Sequence, residues 1–213
     1  MSVVHIPSPV PATGAMALET YGLTKRFGRF TALDGVSIKV EAGSVHALLG
    51  ENGAGKSTLV KCIAGTHRAD AGSIVCDTRE QDIASPMDAR ALGIGMVYQH
   101  FTLAPGMTVA ENLLLAGGKA PAWIDWATER AKLQAFLTST PFRLDLQATP
   151  AGLAAGEKQK LELLKQLYLK PRLLILDEPT SVLTPQEADK LFETLERLRS
   201  EGKSVLYISH RLE

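Results

Sequence analysis

The apolar positions of the chain fall into short, strand-like runs that are separated by longer amphipathic stretches. The runs VSIKV, SVHALLG, GMVYQ, RLLILD and SVLYIS are short and rich in β-branched and aliphatic residues, which is typical of strands. Two stretches within them, LLILD and VLYIS, are continuously apolar rather than alternating, so we expect these strands to be covered on both faces. Because the strands alternate with helical patterns, the sequence predicts an α/β fold with a largely parallel sheet.

The segment between the last two strands carries the end signals of a helix. Thr184 is placed to cap it, Pro185 occupies the first helical position, and Glu187 completes a capping box. Gly202 marks the end of the helix. The sequence therefore predicts one strand, helix, strand unit, formed by RLLILD, this helix and SVLYIS.

Residues from about 103 to 170 show several helical patterns in succession, with no convincing strand between them. We interpret them as a helical subdomain inserted into the α/β core. The last of these helices is predicted to begin between Ala154 and Gly156, because leucines recur at intervals of three residues after this point. Helix starts usually carry Ser, Thr, Asp or Asn as a cap, whereas this start has only Ala and Gly. Its first N–H groups thus lack a side-chain partner from the expected position.

The composition is that of an ordinary globular protein without a strong electrostatic field. The chain has 213 residues, 45% of them hydrophobic, and its 23 basic and 23 acidic residues cancel, so nothing points to nucleic acid. Cys62 and Cys76 make neither a disulfide framework nor a ligand cluster, and we expect buried thiols. No apolar run approaches the about 18 residues of a membrane span. Prolines among residues 7 to 11 predict a disordered tail over residues 1–15.

The stretch GENGAGKST, residues 50–58, is a candidate phosphate-binding loop. It follows the predicted strand SVHALL and precedes a helical pattern, which is the context that such a loop requires. Its glycines permit a tight turn whose N–H groups converge on phosphate oxygens, Lys56 would hold the β- and γ-phosphates, and the Ser57 hydroxyl would bind Mg²⁺. The predicted nucleotide-binding residues of this loop are Gly50, Glu51, Asn52, Gly53, Ala54, Gly55, Lys56, Ser57 and Thr58.

Polar residues also follow three other predicted strands. Asp177 ends RLLILD and Glu178 follows it, at a strand end where burying a charge without a partner is costly. A Mg²⁺ ion would supply that partner, so we interpret Asp177 as the metal-side carboxylate and Glu178 as the base that polarises an attacking water. His210 follows SVLYIS and Gln99 follows GMVY. Since ligands of open α/β sheets bind beyond the carboxyl ends of strands, His210 is predicted to contact a γ-phosphate.

Taken together, the loop, the carboxylate pair and the strand-end residues resemble the nucleotide-binding subunit of ATP-binding cassette (ABC) transporters over residues 16–213. The resemblance implies a P-loop NTPase (ABC ATPase) core with a largely parallel sheet, an N-terminal antiparallel β portion and the inserted helical subdomain. It implies the cofactors ATP and Mg²⁺, and it implies that Gln99 contacts the metal and the catalytic water. An aromatic residue upstream of the loop stacks on adenine in this family, and Phe27 in LTKRFG is the matching position.

The stretch LAAGEKQK, residues 153–160, falls where the family has its signature, commonly Leu-Ser-Gly-Gly-Gln. Leu153 and Gly156 agree with that pattern. In the family, this helix start contacts ATP that is held by another cassette, which implies that residues 154–157 bind nucleotide in trans, mainly through helix N–H groups. The departures from the family pattern are Ala154 for Ser, Ala155 for Gly, Glu157 for Gln, Lys160 for Arg and Thr184 for Asp.

Within the family, VYQHFTL, MTVAENLLL, LELLKQLY and DEPTSVLTPQEADKLF are most similar to the ATPases of simple-sugar and nucleoside importers. That resemblance implies the N-terminal cassette of a longer, two-cassette protein that drives solute import. The implied partners are a second ABC cassette, in the same longer chain or in a homodimer, transmembrane permease subunits and, indirectly, an extracytoplasmic solute-binding protein. The implied location is the cytoplasmic face of the inner membrane, where the permease holds the ATPase peripherally.

Two other functions stay open at this point. The departures in the signature are compatible with a regulatory cassette that binds ATP and closes while it hydrolyses little. A soluble ABC ATPase that acts on ribosomes or DNA is the second alternative. It leads one to expect a basic surface or a long charged linker, and the sequence contains neither.

Overall fold

The computed structural model describes residues 2–6, 14–118 and 123–209, with Ser2–Ile6 described as backbone only. Its strands are β1 (Ser2–Ile6), β2 (Leu18–Phe27), β3 (Phe30–Val40), β4 (Val45–Leu49), β5 (Ala71–Cys76), β6 (Arg79–Gln81), β7 (Ile94–Val97), β8 (Leu173–Asp177) and β9 (Ser204–Ser209). Its helices are α1 (Lys56–Ile63), α2 (Pro86–Ala91), α3 (Val109–Ala116), α4 (Trp126–Thr138), α5 (Ala155–Tyr168) and α6 (Pro185–Ser200), with a 3₁₀ turn at Pro150–Gly152. The described residues form two compact units. The first draws on Met1–Met96, Pro171–Glu178 and Leu195–Glu213, and the second is Val97–Lys170 with Pro179–Thr194.

The first unit contains a five-stranded sheet. Its strand order is β1-β4-β9-β8-β7, and β9 runs parallel to both β4 and β8, with Val205 opposite Val45 on β4 and Leu174 on β8. The strand β8 is buried along its whole length, as its continuously apolar pattern predicts. Because β4 and β8 point the same way, their carboxyl ends lie at the same edge of the sheet, which confirms the predicted parallel core.

A second sheet, of antiparallel strands, belongs to the same unit. Its order is β3-β2-β5-β6, and Leu18 on β2 lies opposite Val40 on β3 and Cys76 on β5. This is the N-terminal antiparallel portion that the family resemblance implies. Cys62 and Cys76 are both free and buried, as expected, and burial raises the pKa of each thiol to about 11.

The prediction of a disordered N-terminal tail is wrong for Ser2–Ile6. These residues form β1, which pairs antiparallel with β4, so that Ser2 lies opposite Leu49 and Ile6 opposite Val45. The pairing supplies hydrogen-bonding partners to backbone groups of β4 that would otherwise be at the edge of the sheet. The prolines that follow dominated the prediction, whereas SVVHI itself has the β-branched composition of a strand. Residues 7–13 lie outside the described residues.

The second unit is built from helices. The helix α3 packs against α4 and α5. The fully buried leucines of this unit include Leu113, Leu133, Leu137, Leu161 and Leu164. Sequence analysis placed the helical subdomain at about 103–170, and the unit as observed begins at Val97 and also includes Pro179–Thr194. The loop after β8 and the first turns of α6 therefore belong to the same unit as α5.

The helix α6 has the boundaries that its end signals predict. The Thr184 N–H donates to Glu187 Oε2 over 3.0 Å, and the Glu187 N–H donates to Thr184 Oγ1 over 3.4 Å, which completes the capping box. The helix ends at Ser200, and Gly202 follows with a positive φ of 75°. Among the helices that the structure describes, none combines the length and the apolar character needed to cross a lipid bilayer.

Candidate nucleotide-binding site

Residues 50–55 connect the end of β4 to the start of α1 in a tight loop. Gly53 and Gly55 adopt positive φ angles of 83° and 82°, a conformation that favours glycine. A Cβ atom on Gly55 would lie 2.5 Å from the Ala32 carbonyl oxygen, so this position also needs glycine for space. The helix α1 begins immediately afterwards, at Lys56, without a side-chain cap. A glycine loop that runs straight into a helix N-terminus is the arrangement that binds phosphate.

The Lys56 side chain folds back over this loop. It is 5% exposed, and its Nζ donates to the carbonyl oxygens of Gly50 over 2.6 Å and Glu51 over 2.8 Å. An ammonium group has three N–H donors and no acceptor. Lys56 therefore places a positive charge within the predicted phosphate-binding loop.

Ser57 and Asp177 meet although 120 positions separate them in the sequence. The Ser57 hydroxyl donates to Asp177 Oδ1 over 3.1 Å, and Asp177 is only 1% exposed. Burial raises the pKa of the Asp177 carboxyl above its usual value, and the hydrogen bond from Ser57 opposes that rise. A hydroxyl and a carboxylate oxygen in contact are the hard oxygen ligands that Mg²⁺ prefers.

Glu178 follows β8 with a strained backbone. Its φ angle is 52°, in the left-handed region that non-glycine residues rarely adopt. Its N–H donates to the carbonyl oxygen of Ile208 on β9 over 3.3 Å, which fixes the residue at the ends of two parallel strands. Strain of this kind is frequent at functional sites, and here it falls on the carboxylate that the sequence predicts to be the base.

Phe27 ends β2 and leaves 45% of its surface exposed. Its ring contacts the His67 ring at a centroid distance of 5.3 Å and an interplanar angle of 76°, and Lys25 Nζ lies 5.5 Å from its centroid. Asp70 holds Lys25 through an ion pair of 3.1 Å. An exposed aromatic ring that is held in place by its neighbours is suited to stack on a planar base.

The helix α5 begins at Ala155, within the predicted range, and Ala154 occupies the cap position with an extended backbone. The Ala154 side chain offers no acceptor, as expected. The Ala154 N–H donates instead to Glu157 Oε2 over 2.9 Å, so the Glu157 carboxylate turns back towards the start of its own helix. One N–H group that sequence analysis left without a partner is thus satisfied from three residues downstream.

Comparisons with known proteins agree with this geometry. A family profile described as "ABC transporter" matches residues 33–181. The chain belongs to the ABC transporter family. A relative named ribose import ATP-binding protein RbsA 1, from Rubrobacter xylanophilus, is 44% identical over 92% of this chain and 40% of its own length. The ribose import ATP-binding protein RbsA of Chromobacterium violaceum is 42% identical over 93% of this chain and 40% of its own length.

Solved structures of ABC cassettes have the same fold. One of them, a nucleotide-free ATP-binding cassette from an ABC transporter, is 30% identical to this chain with a TM-score of 0.78, and the match covers 92% of this chain and 82% of that one. These likenesses confirm the family and the fold class that the motifs predict. The chain spans about 40% of the length of the two ribose-import relatives.

The residues predicted for the site divide between the two units of this ABC cassette. The first unit contains the phosphate-binding loop, Asp177, Glu178 and Phe27, and the second contains residues 154–157 and Gln99. Gln99 follows β7 and is exposed. His210 lies outside the described residues. The contacts predicted for Gln99 and His210 with Mg²⁺, water and γ-phosphate therefore stay predictions.

Sequence analysis missed the groups that surround Phe27. Lys25 and Asp70 form an ion pair although they are 45 positions apart in the sequence, and His67 comes from the segment after α1. A pairing between residues so far apart leaves no local pattern in a single sequence. Only the LTKRFG context marked the ring itself.

Proposed function

We propose that this ABC cassette binds ATP with Mg²⁺, hydrolyses it, and thereby energises the import of a simple sugar, with ribose the first solute to test. The contact between Ser57 and Asp177 supports the nucleotide and metal assignment most directly, because it joins the phosphate-binding loop to the end of β8. The similarity to the two ribose-import proteins supports the choice of solute. A nucleoside is the other solute class that the sequence resemblance implies.

In this proposal, residues 50–58 hold the phosphates of ATP. The N–H groups of the loop and of the first turn of α1 surround the phosphate oxygens, and the Lys56 ammonium neutralises their charge. The exposed ring of Phe27 stacks on adenine. The chain therefore contacts both ends of the nucleotide with residues of the first unit.

Ser57 and Asp177 are suited to hold Mg²⁺, because both present oxygen atoms and a cation would compensate the buried Asp177 carboxylate, whose pKa is raised by burial. When bound, the cation offsets the negative charge that develops on the phosphates. Gln99 is proposed as a further ligand through its side-chain oxygen.

Glu178 is proposed to accept a proton from the attacking water, and His210 to stabilise charge on the γ-phosphate. The strained backbone of Glu178 at the end of β8 supports its role, because strain of this kind is frequent at functional sites. A positioned base of this kind contributes about 10²- to 10⁴-fold to a rate. The remaining catalysis is electrostatic, as expected for phosphoryl transfer.

The proposed assembly contains a second ABC cassette, from the same longer chain or a second copy. Each ATP lies between the phosphate-binding loop of one cassette and residues 154–157 of the other. Transmembrane permease subunits hold the cassettes at the cytoplasmic face of the inner membrane, and an extracytoplasmic solute-binding protein delivers the sugar. ATP-driven closure of the two cassettes is the step that moves the permease.

The test uses the full-length protein with its permease subunits in liposomes. The Glu178→Gln variant is expected to bind ATP within about threefold of the parent and to lose at least about 100-fold of its turnover. Glu193→Gln, at an exposed position of α6, is the matched control and is expected to retain turnover. ATP-dependent uptake of ribose, compared with uptake of a nucleoside, identifies the solute class. Turnover at the parental rate in Glu178→Gln would refute the assignment of the base.

A second function, a regulatory cassette that closes on ATP with little hydrolysis, is favoured by one observation. Glu157 places a carboxylate at the helix start that would face the partner's γ-phosphate, 2.9 Å from the Ala154 nitrogen. Single-turnover hydrolysis, measured separately at each of the two ATP sites, distinguishes the functions. Slow hydrolysis confined to the site that residues 154–157 serve would favour the regulatory function for that site.

A further inference from the structure

An ion pair joins α5 to α6 inside the second unit. Lys160, in the second turn of α5, lies with its Nζ 2.6 Å from Glu187 Oε1, and the two side chains are 20% and 24% exposed. Sequence analysis identified Lys160 only as a departure from the family signature and Glu187 only as a helix cap. The structure shows that these two residues are partners.

The two oxygens of the Glu187 carboxylate have different hydrogen-bond partners. Oε1 accepts from Lys160 on α5, and Oε2 accepts from the Thr184 N–H at the start of α6. These contacts lower the pKa of the Glu187 carboxyl to about 2. The largest effect comes from the Lys160 side chain and the next from the Thr184 N–H. The carboxylate is therefore charged at physiological pH and can pair with the Lys160 ammonium.

The first turn of α5 lies directly against the same carboxylate. A Cβ atom on Gly156 would be 3.2 Å from Glu187 Oε2 and 3.5 Å from the carbonyl oxygen of Val182. This separation is tighter than most side-chain contacts, so glycine at 156 lets the helix start approach the loop that precedes α6. The loop of residues 180–184 and residues 154–156 thus form one packed surface.

From this geometry we propose that Lys160 and Glu187 are positioning residues, which hold residues 180–184 in a fixed arrangement against the start of α5. The inference rests on the proposed function, in which residues 154–157 face a nucleotide of the other cassette. Neither side chain needs to touch that nucleotide. The pair keeps residues 180–184 packed against residues 154–156, so that both segments contact the partner cassette in a fixed arrangement.

The experiment uses the full-length, two-cassette assembly with Lys160→Met, Glu187→Gln and the double variant. Lys160→Met removes the charge at similar length, and Glu187→Gln keeps an oxygen that can accept from the Thr184 N–H. Each single variant is expected to lower kcat by about three- to tenfold while KM for ATP changes by less than about twofold. The double variant is expected to be no slower than the slower single variant, because both remove one interaction.

Rescue and matched controls separate positioning from general damage. Lys160→Arg keeps the charge and is expected to hold kcat within about twofold of the parent. Lys190→Met and Glu193→Gln change exposed residues of α6 in the same chemical way, and they are expected to leave kcat unchanged. Hydrogen exchange at the backbone N–H groups of residues 182–184 is expected to accelerate in Lys160→Met, with exchange in β8 unaffected.

Three results would overturn the inference: parental kcat in both single variants, losses that multiply in the double variant, or a loss in Lys160→Arg as large as in Lys160→Met. The Glu178→Gln variant keeps this result separate from the proposed function. If Glu178→Gln loses turnover and the Lys160 and Glu187 variants do not, only the positioning role fails. If Glu178→Gln retains turnover, only the assignment of the base fails. Absence of both ATP turnover and ATP-dependent uptake in the parental assembly is the result that would refute the proposed function itself.

Discussion

The Ser57 hydroxyl donates a hydrogen bond to Asp177 Oδ1 over 3.1 Å, and this contact joins the first turn of α1 to the end of β8. A serine in the loop and an aspartate 120 positions later therefore form one corner of the candidate site. The carboxylate in this pair is buried and its pKa is raised, so its charge is unfavourable until a cation compensates it.

Asp177→Asn is expected to uncouple ATP binding from Mg²⁺. The amide lacks the charge that attracts the cation, so ATP affinity in Mg²⁺ is expected to fall about tenfold or more, while affinity in a chelator stays within about twofold. Because the buried charge is removed, the midpoint of thermal unfolding without Mg²⁺ is not expected to fall. Titration calorimetry with and without Mg²⁺ measures the first effect. Equal losses in both conditions would argue against a metal role.

Gly55→Ala is expected to destabilise the first unit much more than Gly53→Ala, which serves as its control. Both glycines have a positive φ, so both alanines carry about 1 kcal/mol of backbone strain. At Gly55 the new Cβ would also meet the Ala32 carbonyl oxygen at 2.5 Å, whereas at Gly53 nothing lies within 4 Å. We expect a further loss of about 1–3 kcal/mol for Gly55→Ala. Urea unfolding measures the difference, and equal losses would contradict the geometry.

Glu157→Gln is expected to tighten ATP-driven closure of the two cassettes. Glutamine keeps an oxygen for the Ala154 N–H but removes a negative charge from the helix start that would face the partner's γ-phosphate. The ATP concentration needed for closure is expected to fall by at most about tenfold. Ala154→Ser, which adds a hydroxyl donor at the same start, is expected to act in the same direction. A pair of distance labels, one on each cassette, measures closure in both variants. If neither variant changes closure, this helix start does not face the nucleotide.

The ion pair between Lys160 and Glu187 is expected to make stability depend on pH in the acid range. The pKa of Glu187 is lowered from 4.5 to about 2, so the unfolded chain binds its proton at a higher pH than the folded chain does. The stabilisation is therefore complete above about pH 5 and is lost as the pH falls towards 2. Since both side chains are partly exposed, its size is about 1 kcal/mol or less. The difference in unfolding free energy between the parent and Lys160→Met should therefore shrink as the pH falls from about 5 towards 2. A difference that stays constant with pH would contradict this prediction.

Local sequence signals predicted a large part of this architecture. The capping box at Thr184 and Glu187 fixed the start of α6, and the continuous apolar pattern of β8 predicted its burial. Parallel strands bring their carboxyl ends together, so the sequence predicts both Ser57 and Asp177 as site residues, and the structure brings them into contact. Each of these features depends on neighbours in sequence or on a general rule of sheet topology.

What the sequence did not predict depends on distant pairing. The strand β1 requires β4 as a partner, and the prolines after it obscured its composition. Lys160 and Glu187 lie on different helices, and nothing near either residue identifies the other. The hydrogen bond from the Ala154 N–H to Glu157 also lacks a sequence signal, because a capping box normally begins with Ser or Thr.

At Glu178, with its left-handed backbone, the residue that is best for stability differs from the residue that the proposed proton transfer requires. Any residue with a Cβ carries about 1 kcal/mol of strain there, and glycine would relieve it. Glycine, however, cannot take a proton from water. If Glu178 is the proposed base, a laboratory screen that rewards thermal tolerance alone would therefore enrich glycine at 178 and lose ATP hydrolysis, whereas a screen for ATP hydrolysis would restore the glutamate.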